Sequence, residues 1–118
     1  MKSFTVNGNP LSTQHCYKIS CRGKFARLYM DKKCVDLKAS YRHEMIVART
    51  ECIDVPIEVE AKLYFGTKRK VDIDNFQKLW MDAGNGILWE DDVLIQKLTV
   101  SKFYDKSNPR IEILIKKL

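Results

Sequence analysis

The sequence predicts an α/β (α+β) fold, a small mixed β-sheet with two main helices. Three observations lead to this class: strand-like alternation near both ends and in the middle of the chain, two stretches of helical periodicity, and a glycine-rich stop after the second stretch. The chain has 118 residues and is 45% hydrophobic and 31% charged, which suits one domain with its own core. No apolar run approaches the ~20 residues that a membrane span needs, and the N-terminus lacks a signal-peptide core. We therefore expect a cytoplasmic protein with no membrane partner.

The predicted elements follow the order β, ββ, α, β, α, β, β. The clearest strand covers residues 57–65, where Ile57, Val59 and Ala61 alternate with Glu58 and Glu60. The other strands are expected at residues 3–8, in a hairpin over 16–30 that turns at 22–24, and at 93–104 and 110–116.

The first helix is predicted from apolar residues on one face and from a capping residue. The apolar positions recur at spacings of 4, 4, 3 and 4, and Asp36 precedes them as the expected N-cap. These positions are Leu37, Tyr41, Met45, Ala48 and Cys52.

The four cysteines, at positions 16, 21, 34 and 52, match no zinc-binding spacing. We expect all four to be reduced thiols, and disulfides are much the less favoured alternative.

Charge is distributed unevenly along the chain, although the net charge is +6. Residues 1–50 hold ten Lys or Arg against three Asp or Glu, whereas residues 72–92 hold six acids and one base. A basic surface attracts polyanions such as nucleic acids, and a divalent cation would neutralise the acidic segment beside such a partner. Ordinary solvated charge is the alternative explanation.

The second helix is expected from Asp72 to the stop at residues 84–86. If the strand that follows Asp92 returns beside the start of this helix, Asp72, Asp74 and Asp92 converge. Converging carboxylates suit Mg²⁺, which prefers oxygen ligands, and Lys78 is placed to contact a phosphate. Three carboxylates and a lysine are the usual parts of a metal-dependent nuclease.

Each of these residues also has a structural interpretation. Asp72 could cap the helix, Asp74 could favour its dipole, and Lys78 with Asp82 could form a surface pair at i, i+4. Asp91 and Asp92 could form a turn. The remaining candidates are better explained by packing or surface exposure: Trp80, Trp89, His15 and His43.

The acidic segment resembles the RusA family of Holliday junction resolvases. The shared pattern is D-x-D-N-x-x-K at a helix start, an Asp four residues on, a Gly, and an acidic pair before a strand. Residues 68–104 match it closely, and Pro10-Leu-Ser with the helix over 35–52 matches the N-terminal half more loosely. The matching positions here are Asp72, Asp74, Asn75, Lys78, Asp82, Gly86, Trp89, Asp91, Asp92 and Val100 to Lys102.

The resemblance implies a single RusA-like endonuclease domain over residues 1–118, of bacterial or phage origin, that acts as a homodimer on four-way DNA junctions in recombination and repair. It implies Mg²⁺ as the cofactor, with Mn²⁺ as a substitute, held by Asp72, Asp74 and Asp92. Lys78 takes the position of the family's essential lysine. Asn75, Asp82 and Asp91 match positions that we expect to support these ligands.

One departure from the family concerns the DNA contacts. Many members carry a basic cluster after the N-terminal proline, whereas this chain has Leu-Ser-Thr-Gln-His at residues 11–15. We therefore expect the DNA-binding residues to be Lys18, Arg22, Lys24, Arg27, Lys68, Arg69 and Lys70.

Two other functions stay open from the residues. One is a basic nucleic-acid-binding module without catalysis, in which the acids are structural. The other is a related nuclease that acts on other branched DNA or on RNA. Cleavage assays on different branched substrates at matched salt separate them, because affinity for nucleic acid depends strongly on salt.

Overall fold

The structure is a computed structural model that describes residues 2–12, 16–22, 25–49, 51–68 and 70–118. For residues 17–22 and 25–28 it describes the backbone alone. Within these described ranges, six strands and two α-helices follow in the predicted order, so the mixed α/β class is confirmed. They are β1 (Lys2–Asn7), β2 (Tyr17–Arg22), β3 (Phe25–Met30), α1 (Lys32–Ala48), β4 (Ile57–Phe65), α2 (Lys78–Gly84), β5 (Ile95–Tyr104) and β6 (Arg110–Lys117), with short 3-10 turns at Ile73–Phe76 and Asp92–Leu94.

Four strands form the main sheet in the order β1-β6-β4-β5. β6 runs antiparallel to both β1 and β4, while β5 runs parallel to β4 and forms one edge. Because two parallel strands need a long connection between them, the segment 66–94 crosses over and carries α2. The acidic segment, residues 72–92, lies within this crossover, which runs along the β5 edge of the sheet.

The core lies on one face of the sheet. Along β4, alternate residues from Ile57 to Phe65 are buried and the residues between them are half-buried, which confirms the predicted alternation. Trp80 and Trp89 are fully buried and meet edge to face, with ring centroids 6.5 Å apart. Both tryptophans are therefore core residues, as the packing interpretation predicted. Among the helices of the described residues, none has the length and apolarity needed to cross a bilayer.

Helix α1 is shifted toward the N-terminus relative to its prediction. Its N-cap is Asp31 rather than Asp36, and it ends at Ala48, so Cys52 lies beyond the helix and is exposed. The buried face is Cys34, Tyr41 and Met45. The periodicity was compatible with both ranges because residues 34 and 52 extend the same stripe in opposite directions, and tertiary packing selects the earlier one.

The expectation that all four cysteines are reduced is wrong for two of them. Cys16 and Cys34 form a disulfide, with Cα atoms 5.5 Å apart, in the range that such bonds need. The topology brings the start of β2 beside the first turn of α1, where the Asp31 amide donates to the Cys16 carbonyl. A separation of 18 residues gives no sign of this contact in the sequence.

The predicted continuous helix from Asp72 to residue 84 is also wrong, because the structure divides it. A 3-10 turn covers Ile73–Phe76, Gln77 interrupts, and α2 begins only at Lys78. The Gln77 side-chain amide donates to the Ile73 carbonyl, and Phe76 packs edge-on against Phe65 of β4 at 5.0 Å between centroids. Local side-chain bonding and this aromatic contact thus favour the tighter first turn.

Candidate metal and DNA site

Asp72 and Asp74 lie on the 3-10 turn that follows the basic loop at residues 66–70. Both are exposed, and although Asp72 occupies the N-cap position, its side chain makes no capping hydrogen bond. The turn is tied to the sheet edge because the Lys102 ammonium donates to the Val71 carbonyl at 2.8 Å. The capping explanation for Asp72 is therefore not realised, and its carboxylate faces solvent on an anchored backbone.

Asp91 and Asp92 lie between α2 and β5, where the crossover returns to the sheet. Asp91 caps the short turn at Asp92–Leu94, with its carboxylate accepting from the Val93 amide at 3.3 Å. Asp92 is half-buried, and burial is the first cause that raises the pKa of its carboxyl above the usual range. Hydrogen bonding and charge from Asp91, and the charge of Asp82, raise that pKa further.

Lys78 and Asp82 form the surface pair that their i, i+4 spacing predicted. The Lys78 ammonium lies 3.0 Å from the Asp82 carboxylate, with 58% of the lysine side chain exposed and 23% of the aspartate side chain exposed. A pair this open to solvent contributes little to stability. It does hold a cation at the edge of the acidic cluster formed by Asp82, Asp91 and Asp92.

The carboxylates suit a hard cation by their chemistry, because Mg²⁺ takes oxygen ligands. Their arrangement is a separate matter. Within the part of the chain that the structure describes, no three His, Cys, Asp or Glu side chains are grouped so that they could hold a metal ion. The acids that interact are Asp82, Asp91 and Asp92, and the convergence of Asp72 and Asp74 with Asp92 stays a prediction.

Asn85 is a residue whose role the sequence analysis missed. Its side-chain oxygen accepts from the Trp89 indole N–H at 2.9 Å, which leaves the amide NH₂ as its donor. A hydrogen bond from that side chain acts to lower the pKa of the Asp92 carboxyl, against the effects of burial and of the neighbouring acids. Asn85 therefore links a buried core tryptophan to the acidic cluster.

Arg42 of α1 is the second residue that was missed. Its guanidinium donates to the carbonyls of Ala83 and Asn85, each at 3.1 Å, so it binds the open C-terminal end of α2. From the sequence, an arginine beside the apolar face of a helix is expected to be solvated. No sequence pattern indicates hydrogen-bond acceptors that lie 41 and 43 residues away. Arg42 therefore fixes the backbone at Asn85 by a hydrogen bond to its carbonyl.

The structure describes only some of the predicted DNA-binding residues. Lys24 and Arg69 lie outside the described residues, as do the side chains of Lys18, Arg22 and Arg27. Lys70 is exposed, and the Lys68 ammonium lies over the Tyr104 ring, 5.1 Å from its centroid. The basic loop thus meets an exposed aromatic residue at the end of β5.

Comparison with known proteins agrees with the resemblance seen in the acidic motif. The model of the family described as "Endodeoxyribonuclease RusA" matches residues 7–116, nearly the whole chain. The chain therefore belongs to the RusA endodeoxyribonuclease family.

One curated relative aligns with this chain over nearly the full length of both proteins. It is "Uncharacterized protein YqaN" of Bacillus subtilis (strain 168), which is 41% identical over an alignment covering 98% of this chain and 95% of that protein. Its description assigns no activity, so the family match carries the functional argument.

Proposed function

We propose that this protein is a Mg²⁺-dependent endonuclease that resolves four-way DNA junctions by paired nicks, in DNA recombination and repair. The observation that carries the proposal is the family match over residues 7–116, together with the complete acidic motif from Asp72 to Asp92. The basic loop beside the acids supports a polyanionic substrate, because lysines next to phosphates release condensed counterions.

The proposal assigns roles to a few side chains. Asp72, Asp74 and Asp92 would hold Mg²⁺, with Mn²⁺ as a substitute, and Lys78 would contact the phosphate where charge develops. Mg²⁺, when bound, supplies an activated water and neutralises the leaving oxygen. Asn75, Asp82 and Asp91 would support these groups: Asp82 holds Lys78 at 3.0 Å, and Asp91 fixes the turn that carries Asp92.

A homodimer follows from the geometry of the substrate. Resolution of a four-way junction requires two nicks in strands related by an approximate two-fold axis. A small chain with one site supplies both nicks only as a C₂ pair, whose symmetry matches that of the junction.

The test is nicking of a synthetic four-way junction and of a linear duplex of the same sequence, with and without Mg²⁺. We expect Mg²⁺-dependent nicks in two opposed strands of the junction and far slower cleavage of the duplex. Asp74→Asn should reduce the rate by about 100-fold or more, since loss even of a residue that supports a metal ligand costs about 10- to 100-fold. Asp54→Asn is the matched control, because Asp54 is exposed and lies outside the acidic segment.

If the Asp74→Asn variant nicks the junction at the wild-type rate, the site is assigned wrongly. Equal cleavage of junction, flap and fork would instead indicate a related nuclease with a wider range of branched substrates, and RNA cleavage would extend that range further.

A non-catalytic nucleic-acid-binding module is the second candidate. It is favoured by one observation, that the described carboxylates form no group of three able to hold a metal ion. It predicts salt-sensitive binding that does not depend on metal, and an intact junction after long incubation with Mg²⁺ or Mn²⁺.

A further inference from the structure

Two exposed aromatic residues end the edge strand β5, and they lie on opposite faces of the sheet. Phe103 and Tyr104 are each 46% exposed. Phe103 pairs in register with Tyr64 and stacks on it at 5.1 Å, on the face away from the helices. Tyr104 pairs with Phe65, whose ring contacts Phe76 of the 3-10 turn. Paired residues share a face, so Tyr104 lies on the side of the acidic crossover.

One lysine contacts Tyr104 on this side, and two more belong to the neighbouring loop and to the same strand face. The Lys68 ammonium lies over its ring at 5.1 Å, and Lys70 is exposed on the same loop. Lys102, two residues before Tyr104 on the same face of β5, bonds to the carbonyl of Val71. Val71 directly precedes Asp72, so this lysine joins the strand that carries Tyr104 to the turn that carries the candidate metal ligands.

The distance along the chain fits one nucleic-acid strand. Lys68 is four residues before Asp72, which limits the separation of their Cα atoms to about 14 Å. A DNA strand advances about 3.4 Å per nucleotide, so this limit corresponds to at most about four nucleotides. A strand with a phosphate at Asp72 and Asp74 can therefore reach Tyr104 with a nearby base.

We propose that Tyr104, with Lys68 and Lys70, forms a binding subsite for an unpaired base of the DNA strand that enters the acidic site. A partly exposed aromatic ring can stack on a base, but only a base free of its duplex neighbours offers a face for stacking. The lysines supply the contacts to the flanking phosphates. The inference rests on the proposed function and deepens it, since it gives the site a preference for open, branched DNA.

The test measures binding separately from cleavage, by fluorescence anisotropy of a labelled four-way junction in EDTA at one fixed salt concentration. Tyr104→Leu should weaken binding about 5- to 150-fold, the contribution typical of stacking one base. Tyr104→Phe keeps the ring and should restore the wild-type affinity. Lys68→Gln should reduce the salt dependence of binding by about one phosphate contact.

Phe103→Leu is the matched control, because Phe103 has the same exposure on the opposite face. It should leave junction affinity unchanged, and thermal melts of both leucine variants account for any loss of folding. Equal effects of the two leucine variants, or wild-type affinity in Tyr104→Leu, would overturn the subsite. A wild-type protein that binds but does not nick would overturn the nuclease alone, and one that does not bind DNA would overturn both.

Discussion

Asp92 is a residue whose surroundings disfavour its charged form, at a cost in stability that a bound cation would remove. Its carboxyl is half-buried and lies beside Asp91 and Asp82, so its charged form is disfavoured and its pKa is raised. A carboxylate held this way weakens the fold unless a cation joins it. Sites that bind ligands commonly keep such strain at the expense of stability.

We therefore expect Asp92→Asn to melt at a higher temperature than the wild type in EDTA, because the substitution removes repulsion by the two neighbouring acids. Saturating Mg²⁺ should raise the melting temperature of the wild type, by a stabilisation of about 2.7 kcal/mol at a hundredfold excess over Kd. Asp92→Asn should gain little from Mg²⁺, whereas the exposed control Asp54→Asn should respond like the wild type. An equal response of Asp92→Asn and the wild type would remove Asp92 from the metal ligands.

The sequence identified the candidate acids but not the residues that hold them. The spacing of Asp72, Asp74 and Lys78 is a local pattern, and such patterns are visible without a structure. The bonds from Arg42 to the end of α2, and from Trp89 to Asn85, join residues that only the tertiary fold brings together. The same holds for the exposed position of Tyr104 on the side of the acidic crossover, which depends on the register with β4.

At the scale of elements, the strands were predictable and the helix ends were not. β4 alternates strictly because one face is buried, and a slip by one residue would expose all its apolar side chains. The helices have weaker constraints: α1 could extend in either direction on its stripe, and Gln77 divides the second helix by a side-chain bond. Helix propensity and apolar periodicity contain no information on the tertiary packing that sets the range of α1, nor on the Gln77 side-chain bond that divides the second helix.

The end of α2 gives a prediction that concerns the packing of Trp89. A Cβ on Gly84 would lie 2.7 Å from the nearest carbon of the Trp89 ring, which is shorter than a non-bonded contact between two carbon atoms. Gly84→Ala should therefore displace this buried indole, loosen its bond to Asn85 and destabilise the protein. In a ¹⁵N–¹H spectrum the Trp89 indole signal should shift more than that of Trp80, whose indole bonds to Gln77.

Gly86→Ala is the comparison for this experiment. Gly86 has φ of +77°, and nothing lies within 4 Å of an added Cβ, so its cost is one of backbone conformation. It should shift the Trp89 indole signal less than Gly84→Ala does, because no ring has to move to make room for the added Cβ. An unmoved Trp89 signal in Gly84→Ala would contradict the packing described for this turn.

The connection between β5 and β6 gives a prediction for pH. The Asp105 carboxylate accepts from Arg110 at 2.7 Å and from the amides of Ser107 and Asn108, and the bond to Arg110 is the first cause that lowers the pKa of Asp105. A lowered folded-state pKa contributes stability above the unfolded value of about 3.9, and that contribution is lost as the pH falls through the folded value.

Asp105→Asn should thus be less stable than the wild type at pH 7, and the difference in urea midpoint should shrink as the pH falls below about 3.9. Asp54→Asn should show no such convergence. A difference that stays constant from pH 7 to pH 2.5 would mean that the Asp105 charge does not contribute to this loop.

At the scale of the whole molecule, the described residues share one buried core, which joins the sheet to both helices. The acidic crossover lies along the β5 edge, with Lys102 tying its start to that edge. The basic loop at residues 66–70 therefore precedes the acids along the same edge of the sheet. The charge pattern favoured a polyanion partner over ordinary solvated charge only weakly, and it contained no information on which edge of the sheet carries the acids.

The position of β6 has a consequence for how the fold assembles. The last strand in chain order fills the gap between β1 and β4, and it pairs Ile115 with Lys2 across almost the full length of the chain. Contacts this distant in sequence are slow to form, because the entropy of closing so large a loop must be lost first. A growing polypeptide therefore lacks the middle of its sheet until residues 110–117 have been added, and until then β1 has no neighbouring strand with which to pair.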